Sequence, residues 1–364
     1  MTRPTNAIIN TSALQHNLQQ VKNNAPQQKI MAVVKANAYG HGAARVANAI
    51  AHDVDAFAVC CLEEALQLRD IYITQPIVIL EGFFHPEELS VIAKQDLQIV
   101  ISTATQFKQL VKSKLEQPIN LWIKVDTGMH RLGFTPKETV SIYQLAQQNL
   151  NIAAPIRLMS HLACADELNN DATEQQTKLF SELVEHLKVE EASLANSAGI
   201  LGWPDTHFNW VRPGIMLYGA SPFPNNVAED NDLQPVMQLQ SKLISVKRCY
   251  KGETVGYGAT WACPQTMPVG VVAIGYADGY PRHAPTGTPV LVNGKRVPLI
   301  GKVSMDMITV DLRNQPNARV GDPVLLWGEG LPIEEIASLS NTIAYELFCN
   351  LGGRVKKESF SKLL

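Results

Sequence analysis

Between residues 30 and 212, short apolar runs alternate with amphipathic stretches, and the alternation comes round eight times. The runs cover 30–34, 55–60, 77–80, 98–101, 119–125, 156–161, 192–196 and 209–212. The first of them is short, apolar and rich in β-branched residues, the pattern of a buried strand. Helical periodicity fills most of the intervals, at 62–71, 86–94, 103–116, 136–149 and 172–189. Eight strands with interleaved helices predict a closed (β/α)8 barrel of the TIM type. An open doubly wound sheet is the alternative, but its G-x-G-x-x-G fingerprint does not follow the first strand. Ahead of the barrel lie a strand candidate at 7–10 and a helix with Leu14, Leu18 and Val21 at helical spacing, which Thr11 or Ser12 can cap.

The texture changes near Pro222. Pro222, Pro224, Asn225, Asn226 and the acidic run from Glu229 to Asp232 read as a linker. Strand patterns follow at 239–249, 269–274, 289–291, 307–311 and 324–327, broken by Gly, Pro and Asn turns, and only 333–339 is clearly helical. The expected division is a cofactor-binding barrel over 1–232 and a mainly-β domain over 233–364. A chain of 364 residues has room for both.

With 46% hydrophobic and 18% charged residues a full core is available, and disorder is not expected. The net charge of −3, without any basic run, argues against nucleic acid as the main partner. Six cysteines form neither a C-x-x-C pair nor a His-Cys metal pattern, so no metal site is expected. Residues 1–5 lack a signal-type apolar region, and no run approaches the length of a membrane span. A soluble cytoplasmic protein is the expectation.

In such a barrel, chemistry sits at the C-terminal strand ends. The first strand runs into Lys35, with Tyr39 close behind. A lysine ammonium is costly to bury unpaired, and burial favours the neutral amine that attacks a carbonyl. The fifth strand ends in Lys124-Val125-Asp126 and is followed by Arg131. The sixth ends at His161, the seventh at Asn196-Ser197, and the eighth at Arg212-Pro213-Gly214-Ile215. Taken singly, these residues have plainer readings. A lysine at a strand end can snorkel, a lone histidine is often structural, Asn-Ser is a common helix cap, and an arginine can simply pair with a carboxylate. Together they form a cationic cup with small residues beside it, where Ser197, Gly214 and Ile215 can offer N–H groups to an anion.

That set suits a phosphorylated aldehyde cofactor. Pyridoxal phosphate needs an amine to hold it, a cradle for its phosphate and a partner for its ring nitrogen. An arginine in the last role hydrogen-bonds the nitrogen without giving up a proton. The ring is then a weaker electron sink, suited to brief deprotonation at Cα.

At this point the chain resembles the alanine racemase family of fold-type III pyridoxal-phosphate enzymes over essentially its whole length. The segment from Val33 to Gly42 (VVKANAYGHG) matches the family's cofactor-lysine signature. Lys124 to Gly133 and Arg212 to Gly219 are further matches, as are Val255 to Gly258, Gly275 to Gly279 and Val303 to Asp306. His130 stands where some members have glycine.

The resemblance implies a homodimer that interconverts L- and D-alanine, making D-alanine for peptidoglycan or consuming it. Lys35 would carry the cofactor and serve as base on one face of Cα, and Tyr257 of the partner subunit would serve the other face. Arg212 would meet the ring nitrogen with His161 behind it. Tyr39, Ser197, Gly214, Ile215 and Tyr345, beside Asn196, would hold the phosphate end. Arg131 would contact the cofactor's phenolic oxygen and the substrate carboxylate side, Met305 of the partner subunit would help bind the carboxylate, and Tyr276 with Asp306 would line the entrance. Lys124 matches a lysine that is carbamylated in some relatives.

The residues also call independently for two bases, since racemisation removes a proton from one face and returns it to the other. Apart from Tyr39, on the lysine's own loop, no second base stands out at the barrel mouth. Tyr257 lies between two glycines on a turn of the β domain. A phenol's ordinary pKa of about 10 is high for a base, so a cation beside it has to lower it. A pyridoxal-phosphate decarboxylase of basic amino acids, a non-catalytic cofactor-binding barrel and a cofactor-free lysine aldolase are the competing readings. Serine and other small amino acids stay open as substrates, because a methyl more or less is worth only about 1–3 kcal/mol of discrimination.

Overall fold

The structure, a computed structural model, describes residues 3–360. The first strand, β1 (Asn6–Asn10), leads into the helix Thr11–Asn24. Asn10 caps that helix, its side chain accepting from the N–H groups of Ser12 and Ala13 at 3.0 and 3.1 Å. The cap is therefore Asn10 and neither Thr11 nor Ser12, because the helix already begins at Thr11.

All eight expected barrel strands are present. They are β2 (Lys29–Val33), β3 (Ala56–Val59), β4 (Ile77–Ile79), β5 (Leu97–Ile101), β6 (Ile119–Lys124), β7 (Ile152–Met159), β8 (Ala192–Ser193) and β9 (Trp210–Val211). Each pairs in parallel with the next, and β2 closes on β9 through Lys29–Trp210 and Ile30–Val211. β3 and β4 are buried at every position, as strands covered on both faces must be. β8 and β9 are only two residues long. The residues beyond them have left the ladder: Asn196 caps the next helix, and Arg212 bonds across the barrel mouth.

The N-terminal end of the barrel is closed by aromatic and ionic packing. Trp122 and Trp210 meet edge to face at 5.9 Å, and the Arg157 guanidinium lies 5.6 Å from the Trp122 ring. Glu191 pairs with Lys29 at 2.5 Å and with Arg157. This end reads as stability, leaving the opposite end for chemistry.

Beyond the linker, β10 (Met237–Cys249) is the spine of a second, eight-stranded sheet. Its first half pairs with β1 and with Pro323–Trp327, and its second half with Met267–Val272. β1 therefore lies in the sheet of the C-terminal region and not with the barrel; its other neighbour is the parallel strand Lys356–Phe360. Asn17, fully buried, pins the junction by bonding the Leu217 and Gln234 carbonyls and the Gln234 N–H. The expected helix at 333–339 is present as Ile333–Leu339, and a short second one, Ala344–Cys349, follows it. That second helix packs against the barrel mouth, with Tyr345 beside Tyr39 and Phe348 beside His41. Among the described residues no helix is long and apolar enough to cross a membrane.

After Lys35 the backbone makes a left-handed turn. Ala36, Asn37, Ala38 and Tyr39 have φ between 49° and 54°, and Gly40 has φ of 76°. Such a conformation costs a non-glycine residue about 1–2 kcal/mol, so the surroundings must impose four in succession. The regular helix Ala43–Ile50 begins beyond Gly42.

Candidate active site

A cavity of about 510 Å³ opens at the C-terminal end of the barrel. Lys35, Tyr39, Lys124, Arg131, His161, Asn196, Ser197, Arg212, Gly214, Ile215 and Tyr345 all line it. The strand-end residues singled out from the sequence thus converge on one space, together with Tyr345 from the helix Ala344–Cys349.

Lys35 is half-buried, two residues beyond β2. The Glu64 carboxylate fastens its loop to the end of β3, one oxygen accepting from the Ala36 N–H at 2.7 Å and the other from the Cys60 N–H at 2.8 Å. At the far end of the turn, Tyr39 is buried and stacks on Tyr218 with ring centres 4.8 Å apart. Burial, together with neighbouring Tyr345, raises the Tyr39 phenol well above the usual tyrosine range, and burial does the same for Tyr345. Both phenols stay protonated at neutral pH, which makes them hydrogen-bond donors and unsuited to act as bases.

Arg212 is 4% exposed and tightly held. Its guanidinium donates to Ser193 Oγ and the Ser160 carbonyl, both at 2.6 Å, to the Leu194 carbonyl at 3.1 Å, and to His161 Nδ1 at 3.3 Å. Burial lowers its pKa only to about 10, so it remains a cation at neutral pH. His161 is driven well below the usual histidine range by burial and by Lys124, Arg212 and Arg131. It is therefore neutral, with Nδ1 free to accept from Arg212. Behind it, the buried Gln176 bonds the His161 carbonyl and the Thr127 hydroxyl.

Lys124 is pushed well below the usual lysine range by burial and by Arg212 and Arg131. Asp126, two residues on, accepts from the N–H groups of Gly128 and His130 and meets the His130 ring. His130 has φ of 54°, a backbone that a glycine adopts without strain, and its side chain is exposed. Among the described residues, no carboxylate is ion-paired with Lys35, Lys124, Arg131 or Arg212.

Opposite the cations, Ser197 begins the short helix that Asn196 caps. The Ser197 hydroxyl accepts from the Gly214 N–H at 2.9 Å and the Met216 N–H at 3.3 Å. A side chain at Gly214 would stand 2.7 Å from the Tyr39 phenol oxygen, so only glycine leaves the space between them open. The arrangement is an anion cradle on one side, a buried cation on the other, and an amine between.

The other four expected residues lie elsewhere. Tyr257, Tyr276, Met305 and Asp306 belong to the C-terminal region and do not line the cavity of their own chain. Tyr257 sits at the tip of the hairpin Thr254–Val255/Trp261–Ala262 and is 68% exposed. Tyr276 and Met305 share one surface: the N–H groups of Tyr276 and Ala277 bond the Ser304 and Met305 carbonyls. Arg354 links Asp278 to Asp306 across that surface. Glu64, Gln176, Ser193 and the cavity-lining Glu81 and Cys349 escaped the sequence reading. Of these, only Ser193 carried a signal, as a polar residue within an apolar strand.

The models of the alanine racemase N-terminal and C-terminal domains match residues 9–222 and 236–359. The alanine racemase of Aeromonas hydrophila is 52% identical over 352 residues, 97% of this chain and 98% of that one. That of Vibrio cholerae is 51% identical over 350 residues, 96% of each chain. The crystal structure of the biosynthetic alanine racemase from Pseudomonas aeruginosa, 45% identical, superposes with a TM-score of 0.96 over 99% of this chain and 100% of that one. On both domain models and these full-length likenesses, the chain belongs to the alanine racemase family.

Proposed function

We propose that the protein interconverts L-alanine and D-alanine, with pyridoxal phosphate held by Lys35, and that Tyr257 of a second copy of the chain completes the site. The observation that carries this reading is the convergence of Lys35, Arg131, His161 and Arg212 on one cavity faced by the Ser197–Gly214 cradle. The cavity fits the cofactor on its own chemistry: its cations have no carboxylate partners among the described residues, and its floor is open only because residue 214 is glycine.

When bound, the cofactor supplies the electron sink that acidifies the substrate's Cα–H. Arg212 presents an N–H to the ring nitrogen and keeps its proton, since its own pKa is held near 10. His161, neutral, accepts from Arg212 and holds the guanidinium in place. The Tyr39 and Tyr345 phenols and the Ile215 N–H would donate to the phosphate, together with the Ser197 hydroxyl, which accepts from the Gly214 and Met216 N–H groups and so keeps its own proton to give. Arg131 faces the phenolic oxygen and the carboxylate side.

Lys35 moves the proton on one face of Cα. The protonated state of Tyr39 and Tyr345 leaves the opposite face without a base from this chain. Tyr257, exposed on its hairpin, serves that face from the second copy, whose Met305, Tyr276 and Asp306 complete the carboxylate pocket and entrance. Lys124, a buried amine pushed toward its neutral form beside Arg131, is in the state that attacks carbon dioxide, releasing a proton as the N–C bond forms, so it is the candidate carbamate. In domain terms, 1–232 holds the cofactor and 233–364 presents Tyr257, with β1 belonging to the second sheet.

Chiral analysis of L-alanine incubated with the protein and added cofactor tests the reading. D-alanine should accumulate toward an equal mixture, and Lys35→Ala should abolish both turnover and the visible absorbance of lysine-bound cofactor. Release of carbon dioxide in place of D-alanine, or unchanged absorbance in the variant, would overturn it.

A further inference from the structure

The turn that joins Lys35 to Tyr39 has to be held open by something, since Ala36 through Tyr39 are all non-glycine residues at positive φ. His41 stands under it. It is fully buried, and its Nδ1 lies 2.8 Å from the Tyr39 carbonyl and 3.1 Å from the Ala38 carbonyl. Two carbonyls at one ring nitrogen require that nitrogen to carry the proton. Nε2 is then a bare acceptor, and it has no hydrogen-bond partner. The ring is stacked on Tyr218 at 4.6 Å and meets Phe348 edge-on at 4.7 Å. Tyr218 in turn donates to the Val33 carbonyl at 2.7 Å, at the end of β2, and stacks on Tyr39. One buried unit thus touches the strand before Lys35 and the tyrosine after it.

We propose that His41 is a positioning residue: its Nδ1–H, donated to the Ala38 and Tyr39 carbonyls, holds the left-handed turn in the conformation that sets Tyr39 against Gly214 and Lys35 at the cavity. This deepens the reading of the cavity as a pyridoxal-phosphate site and rests on it for the roles of Lys35 and Tyr39. The donor, not the ring, is the working part. Stacking alone fills the space; the Ala38 carbonyl also accepts from the His41 backbone N–H at 2.9 Å, so the Tyr39 carbonyl is the one that depends on the ring donor.

Three variants separate the two contributions. Asparagine places its amide nitrogen where Nδ1 stands, glutamine places it nearer Nε2, and phenylalanine keeps the ring without a donor. The first measurement is native-state hydrogen exchange of the Ala38, Gly40 and Gly42 amides in cofactor-free protein; these bond within the loop, to the Val34, Ala36 and Asn37 carbonyls. The second is the affinity of cofactor-free protein for pyridoxal phosphate, read from visible absorbance.

His41→Phe and His41→Gln should speed exchange of those amides and weaken cofactor binding, each about tenfold, the size of a lost buried hydrogen bond. Exchange in β5 should stay unchanged, and His41→Asn should recover both properties to within a few-fold. Natural protection in His41→Phe, or in His41→Gln should the phenylalanine variant fail to fold, overturns the proposal. So does loss in His41→Asn equal to that in His41→Gln. If the exchange pattern appears but no form of the protein binds pyridoxal phosphate, the role of His41 in the turn stands and the reading of the cavity fails.

Discussion

The Arg212 guanidinium donates to His161 Nδ1 at 3.3 Å, a hydrogen bond between a retained cation and a histidine that is held neutral. The same guanidinium satisfies the Ser160 and Leu194 carbonyls. Arg212→Met should therefore fail in two ways. It strips buried carbonyls of their donor, costing about 3 kcal/mol of stability by urea unfolding. It also removes a charged donor from the reacting site, lowering kcat about 10²-fold. Stability and turnover both near natural values would mean that the buried cation serves neither purpose.

Gly214 faces Tyr39 across the cradle. The space there does not admit a side chain, because a Cβ would sit 2.7 Å from the phenol oxygen. Gly214→Ala should displace Tyr39 and weaken pyridoxal-phosphate binding by about 1–3 kcal/mol, the usual cost of overpacking. Secondary structure should be unchanged by circular dichroism. Titration of cofactor-free protein with the cofactor decides it, and natural affinity in the variant would place the phosphate end elsewhere.

The barrel was legible because its strands are continuous apolar runs, a local pattern that survives in any context. The cations were legible because strand ends place them regardless of helix detail. The parts that escaped depend on distant partners. β1 has the same five-residue pattern whichever sheet it joins, and its partners lie at 237–240 and 356–360. Ala344–Cys349 is too short to show periodicity, yet it delivers Tyr345. No glycine among residues 36–39 signals positive φ; the turn is imposed by Glu64, His41 and Tyr218, contacts that exist only once the barrel has closed.

His41 also makes stability depend on pH. Burial lowers its pKa from 6.5 to about 4, helped by nearby Lys357 and Arg45 and opposed by the two carbonyls. Between those values the unfolded chain binds the proton and the folded one does not. Its contribution is therefore intact above pH 6.5, shrinks as pH falls through this window, and is lost by about pH 4. The loss amounts to about 3 kcal/mol. Urea unfolding of the natural chain and of His41→Asn across pH 4 to 7.5 measures it. The natural chain should lose this extra increment on acidification, and parallel curves for the two would assign the acid sensitivity to other groups.

Tyr257 is solvent-exposed on its own chain and absent from its own cavity, while the two phenols that line the cavity, Tyr39 and Tyr345, are held protonated by burial. Tyr257→Phe should reduce turnover in both directions by about 10²–10⁴-fold, the range of a lost general acid–base group. A site shared between chains makes a sharper demand. Lys35→Ala and Tyr257→Phe, each inactive alone, should restore activity when unfolded together and refolded as a mixture. In a mixed two-fold dimer both defects fall in one site and the other site is intact. With equal inputs half the dimers are mixed, so about a quarter of natural activity should return. Were Tyr257 to act on its own chain's Lys35, every site in the mixture would carry one defect, and mixing would restore nothing.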